Sequence, residues 1–242
     1  MRKLLLLFAL SFFATEFFGQ FKVGVNGGYL NTWLINRNLS DAGDNVDPLA
    51  TFSPTYGANF IYVFNESVGI STGVSLTTIA QQTDGVILEE MYEAETKLFQ
   101  TNVPIALRLE NEGGTYFEVG PLFSFLSKAE ESFDAADNGL FTDYTDQDFT
   151  PDFTSFNLSA MAGFGVLVDL SDQLQMSAGL ELSYGFTDST TEYTEAQAFD
   201  LDEQSLYNSI AHTTQQGDFA YESSNQAYIG IKIGILYVAG TN

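Results

Sequence analysis

Eight stretches of the chain alternate apolar and polar residues, at roughly 21–35, 51–64, 68–80, 97–109, 115–128, 154–168, 173–187 and 226–238. The clearest runs from Phe156 to Val168. Phe156, Leu158, Ala160, Ala162, Phe164, Val166 and Val168 hold its even positions, and Asn157, Ser159, Met161, Gly163, Gly165 and Leu167 its odd ones. A period of two sustained this far marks a strand whose two faces meet different solvents.

The connections between these strands alternate in length. Asn65 to Ser67, Glu110 to Gly114 and Asp169 to Asp172 have the Asn, Asp, Gly and Ser content of tight turns. The segments 36–50, 81–96, 129–153 and 188–225 are long. This order predicts an all-β fold: an eight-stranded antiparallel up-and-down transmembrane β-barrel with short periplasmic turns and long acidic extracellular loops. An even strand count places both chain ends on the periplasmic side.

The two faces of the strands differ in chemistry. One carries Val23, Phe60, Val74, Ile105, Val119, Leu180 and Ile231 with their alternating neighbours. The other holds nearly all the strand glycines and the charges that fall within strands: Lys22, Arg108, Glu118, Glu181 and Lys232. On a lipid face such charges would cost about 2–4 kcal/mol each at the bilayer midplane. The apolar face is therefore expected to meet lipid and the charged face to line the lumen. A soluble barrel of lipocalin type would invert this assignment, and alternation alone fits both. Scarce strand charge, unequal loops and aromatics near the strand ends favour the membrane barrel. Trp33, Tyr184 and Phe186 are expected at the outer interface, and Tyr62, Phe64 and Tyr237 at the periplasmic one.

Residues 1–19 have the layout of a secretory signal: Arg2 and Lys3, an apolar run from Leu4 to Phe13, and a cut before Gln20. The run is shorter than the ~20 apolar residues of a membrane-spanning helix. The alternative is an N-terminal anchor. Residues 20–242 form the barrel domain, expected in the outer membrane of a Gram-negative bacterium. The chain contains no cysteine, which removes disulfides and thiol chemistry.

The formal charge of −24 counts against nucleic-acid binding, which needs basic patches. The long loops carry 24 of the 32 acidic residues. The densest set includes Glu130, Glu131, Asp134, Asp137, Asp143, Asp146, Asp148 and Asp152. Carboxylates this close together can bind Ca²⁺, with Asp143, Asp146 and Asp148 as candidate ligands, although EF-hand spacing is missing. A solvated surface is the simpler reading, and no other cofactor is indicated. His212 stands alone in the last loop, where 201–212 has helical character, so neither a soft-metal site nor catalysis is expected. The five strand charges are read as an ion-pair network filling the lumen; an ion path is the alternative.

The segment Asn102-Val103-Pro104-Ile105-Ala106-Leu107-Arg108-Leu109 is followed, after a short turn, by Tyr116-Phe117-Glu118-Val119-Gly120-Pro121-Leu122-Phe123. This hairpin resembles the central hairpin of the PorT-like outer membrane β-barrel family of Bacteroidetes. Ala160 to Val168, Gly179 to Gly185 and a cut before glutamine are also similar. The resemblance implies an eight-stranded outer-membrane barrel, with a secretion-associated role for the family's namesake. The chain departs from the common terminal aromatic by running past Tyr237 to Asn242. Outer-membrane lipid and envelope or secretion proteins are the expected partners. The sequence does not fix the oligomeric state.

Overall fold

The computed structural model describes residues 19–37, 39, 46–65, 67–87, 90–135, 142–192 and 221–239. The signal segment before Gly19, the 201–212 segment and His212 lie outside these residues. The strands are β1 (Gln20–Asn36), β2 (Val46–Leu49), β3 (Thr51–Val63), β4 (Val68–Ile87), β5 (Glu90–Glu110), β6 (Thr115–Ala135), β7 (Tyr144–Asp148), β8 (Phe156–Ser171), β9 (Leu174–Gly185) and β10 (Ser224–Ala239).

Eight of them close an antiparallel ring in the order β1, β3, β4, β5, β6, β8, β9, β10, with β10 returning to β1. The register around the ring passes through Gln20, Val63, Gly69, Arg108, Glu118, Gly163, Glu181 and Gly230. It re-enters β1 at Leu30, ten positions beyond Gln20. That stagger fixes the strand tilt of a closed eight-stranded barrel, whose bore is just wide enough for side chains.

Local chemistry sets the short turns. The Asn65 side chain accepts the backbone N–H groups of Ser67 and Val68 at 3.0 and 2.9 Å. Asn111 does the same for Thr115 at 2.9 Å. Gly114 has φ 76°, a left-handed conformation that a side chain would strain.

The outside of the ring is an apolar belt. Val25, Tyr29, Phe60, Ile70, Val74, Ile105, Val119, Phe164, Val166, Ile231 and Ile233 are all exposed there. Facing aromatics bound the belt on β1 and its neighbours. Trp33 pairs across Ala227 with Tyr184 at the long-loop end. At the short-turn end Val23 pairs with Tyr237, and Tyr62 packs edge-on against Phe64 at 5.2 Å. Val23 to Trp33 is ten residues, which at ~3.3 Å per residue and ~40° tilt spans about 25 Å, the height of a bilayer's apolar band. An apolar band facing outward around a polar bore excludes the lipocalin alternative. The chain is a membrane-spanning β-barrel.

Three strands are longer than the alternation predicts. The alternation places strand ends near residues 80 and 128 and a strand start near 97, with 81–96 as loop. Instead β4 runs to Ile87, β5 starts at Glu90, and β6 continues to Ala135. Asp84 and Gly85, in the segment expected to be loop, lie within the ladder, where Asp84 pairs with Glu93. Above the belt β2 joins the free edge of β4, and β7 joins that of β6. This forms a small sheet, with Tyr92, Phe133 and Tyr144 stacked inside it. Both added strands fall in segments expected to be loops. At the mouth of β9 and β10, Asp188 accepts hydrogen bonds from Thr190, Tyr221 and Ser224.

Candidate functional site: the charged lumen

Alternation turns the even residues of β1 and β10 and their partners inward, so Lys22, Arg108, Glu118, Glu181 and Lys232 reach the same narrow space. Arg108 and Glu118 are directly opposed in the ladder. Arg108 Nη1 donates to Glu118 Oε1 at 2.6 Å. Its Nε donates to Glu110 Oε1 at 2.6 Å, and Lys22 Nζ reaches Glu110 Oε2 at 2.6 Å from three strands away. The side chains of Lys22 and Arg108 are 2% and 4% exposed, and that of Glu110 is 11% exposed. Lys232 Nζ and Tyr228 Oη both donate to Glu181 Oε1, at 2.6 and 2.8 Å. The five expected lumen charges thus fall into two groups, Lys22–Glu110–Arg108–Glu118 and Lys232–Glu181.

Three further side chains join these groups in the lumen: Glu110, Tyr116 and Tyr228. Glu110 opens the turn Glu110 to Gly114 in the sequence pattern, but it is the last residue of β5 and points inward like Arg108. The signal was available: Glu110 shares the parity of Arg108. Tyr228 shares the parity of Lys232. Tyr116 shares that of Glu118, and the Arg108 guanidinium lies 4.0 Å from the centre of its ring. Tyr116 is seated over two glycines. A Cβ at Gly179 would stand 2.4 Å from its hydroxyl, and one at Gly165 2.8 Å from its ring. These glycines are the close approach that lets an aromatic ring lie flat in so narrow a bore.

Apolar side chains pack beside Lys22, whose cross-strand neighbour is Ile61, and above all the charges toward the long loops. Ile61, Val63 and Leu236, with Leu167 against them, cluster toward the short-turn end. Leu30, Leu34, Ile79, Leu98, Leu122, Met161 and Tyr228 form the larger cluster toward the long loops.

The loop carboxylates behave differently from one another. Glu131, expected on a solvated surface, is buried and accepts the Thr96 hydroxyl at 3.1 Å. Its place on β6 sets this, since it shares the inward parity of Phe133. Asp143 accepts the Ala135 N–H at 3.0 Å. Asp146 faces Lys97 at 3.5 Å. Asp148 accepts the Thr150 N–H at 2.9 Å, and bonds from the Thr150 hydroxyl and N–H hold its carboxyl below the usual range. Each of the three candidate Ca²⁺ ligands thus has its own local partner, and no group of three His, Asp or Glu among the described residues is arranged to hold a metal ion.

No protein-family model and no curated protein matches the chain. Solved structures similar to it are bacterial outer-membrane barrels. The attachment invasion locus protein Ail of Yersinia pestis, in complex with the heparin analogue sucrose octasulfate, aligns at 10% identity over 90% of this chain and 98% of its own, with a TM-score of 0.39. The outer membrane protein OprG from Pseudomonas aeruginosa aligns at 12% identity over 92% and 97%, with a TM-score of 0.41. Neisserial surface protein A aligns at 9% identity over 88% and 95%, with a TM-score of 0.38. At these scores the likeness adds no argument of its own, and the barrel assignment stands on the closed register and the apolar belt.

Proposed function

We propose that this chain is a structural or interaction protein of the outer membrane, with a lumen closed by its own side chains. The observation that carries this reading is the filling of the bore: buried ion pairs packed beside one apolar cluster at the short-turn end and covered by a larger one toward the long loops. A pore needs continuous water, and the apolar cluster on the long-loop side of the charges opposes it. The long-loop end faces the outside and the short turns face the periplasm. The sheet built from β2, the upper parts of β4 to β6, and β7 is the contact surface, and its acidity favours cationic partners. The reading includes no catalysis and no cofactor. The secretion role implied by the resemblance to the PorT-like family draws no support from the lumen geometry or from a matching family model.

Recordings in planar bilayers test the closed lumen. The purified protein should insert without a steady ohmic current at moderate voltage. A stable open level seen in every insertion would overturn the reading in favour of a narrow pore.

A further inference from the structure

The two charged groups do not touch. Between them lies a cavity of about 60 Å³, lined by Asn26, Asn59, Arg108, Glu118, Glu181 and Lys232. Ile61 and Leu236 border it toward the short turns, and Met161 toward the long loops. Its walls carry unmet polar demand. Arg108 Nη2 is buried and has no hydrogen-bond partner, while the other nitrogens of the fork are used by Glu110 and Glu118. The carbonyl oxygen of Asn26 is buried and without a partner as well. An orphaned guanidinium donor in such a place costs more than an ordinary lost hydrogen bond, because its charge remains desolvated.

We infer that this cavity is a binding site for ordered water, which joins Arg108 Nη2 to the Lys232–Glu181 pair and makes the two ion-pair groups one plug. The inference rests on the closed-lumen reading. Size and charge select the occupant. A buried water needs roughly 10–15 Å³ and two to four polar partners, so the cavity takes about four. The ionic side chains around it are balanced, with Lys22, Arg108 and Lys232 against Glu110, Glu118 and Glu181. A cation or an anion would therefore enter as an uncompensated buried charge, which is strongly unfavourable. A neutral molecule that both donates and accepts satisfies Arg108 and the Asn26 carbonyl together.

The register explains why the space exists. Glu118 and Glu181 pair with the two sides of Gly163, so a residue without a side chain separates the two carboxylates. A Cβ at Gly163 would meet Leu180 O at 3.6 Å and Glu118 Oε2 at 3.7 Å, ordinary contacts. A valine there fits at its Cβ and fills part of the cavity with its methyl groups.

Radiolytic labelling by synchrotron X-rays tests the site, because hydroxyl radicals formed from a bound water oxidise the nearest side chain. Met161 lines the cavity and is 3% exposed, whereas Met91 is 73% exposed. Met176 faces outward on β9 and serves as the lipid-side control. In the folded full-length protein, Met161 should be oxidised well above Met176. That oxidation should persist with a membrane-impermeant scavenger that suppresses Met91. In Gly163→Val it should fall to the Met176 level while the gel shift of the folded barrel on heating is retained. If Gly163→Val does not fold, Gly163→Ala gives the same comparison with a smaller decrease. An unlabelled Met161 in the wild type, or equal labelling in the filled variant, overturns the water site. Labelling of Met161 that the scavenger suppresses instead overturns the closed lumen beneath it.

Discussion

Among the described residues, Glu110 is the one carboxylate that holds two buried cations, Lys22 and Arg108, both at 2.6 Å. Removing one member of a buried charge group strands its partners, at a cost of about 3–5 kcal/mol. Glu110→Ala should therefore destabilise the barrel by about that amount. Glu118→Ala should cost less, since Arg108 keeps Glu110. Denaturant unfolding in lipid vesicles measures both, and equal losses would contradict the shared-acceptor geometry. At this scale the sequence was legible through parity. Every strand charge on the Gly-bearing face is inside, since a period of two leaves only two choices and lipid excludes one. Partner choice was not legible. It depends on which strands face each other across the bore, and Lys22 meets Glu110 across a chord that no local pattern encodes.

Among the strands, the membrane-embedded parts were readable and their extensions were not. Inside the bilayer, apolar-against-small alternation has a strong contrast. Above it the outward face meets water, so Asp84, Glu93, Glu95 and Lys97 replace valine and isoleucine and the stretch resembles a loop. The inward residues Tyr92, Ala94, Thr96 and Leu98 keep the alternation, but only half of the signal remains. The extension brings a cost of its own. Asp84, Glu93 and Asp134 stand directly opposite one another across β4, β5 and β6. Like charges in a cross-strand row repel by roughly 0.2–1 kcal/mol per pair. Glu93→Gln relieves both contacts and should raise the melting temperature at low ionic strength, with the gain fading in high salt. A salt-independent change would place its origin elsewhere. Asp47 and Pro48 on β2 and Asp146 and Asp148 on β7 protect the edges of the small sheet from pairing with another chain.

For the molecule as a whole, the register closes after a stagger of ten residues, and that number links the outside to the inside. It sets the tilt that brings a ten-residue span to the thickness of a bilayer. It also carries Arg108, Glu118, Gly163 and Glu181 into one oblique row around the bore. The alternation in β8 therefore reports both solvents at once. The chain has no cysteine, so single cysteines can be introduced from Phe156 to Val168 and spin-labelled without background reaction. In lipid vesicles, accessibility to membrane-dissolved oxygen should oscillate with a period of two, with maxima at Phe156, Phe164, Val166 and Val168. Labels at Ser159, Met161 and Gly163 should be shielded from oxygen and from a water-soluble nickel chelate alike. An oscillation of opposite phase, or the same accessibility at even and odd positions, would contradict the assignment of lipid to the apolar face and of a filled lumen to the other.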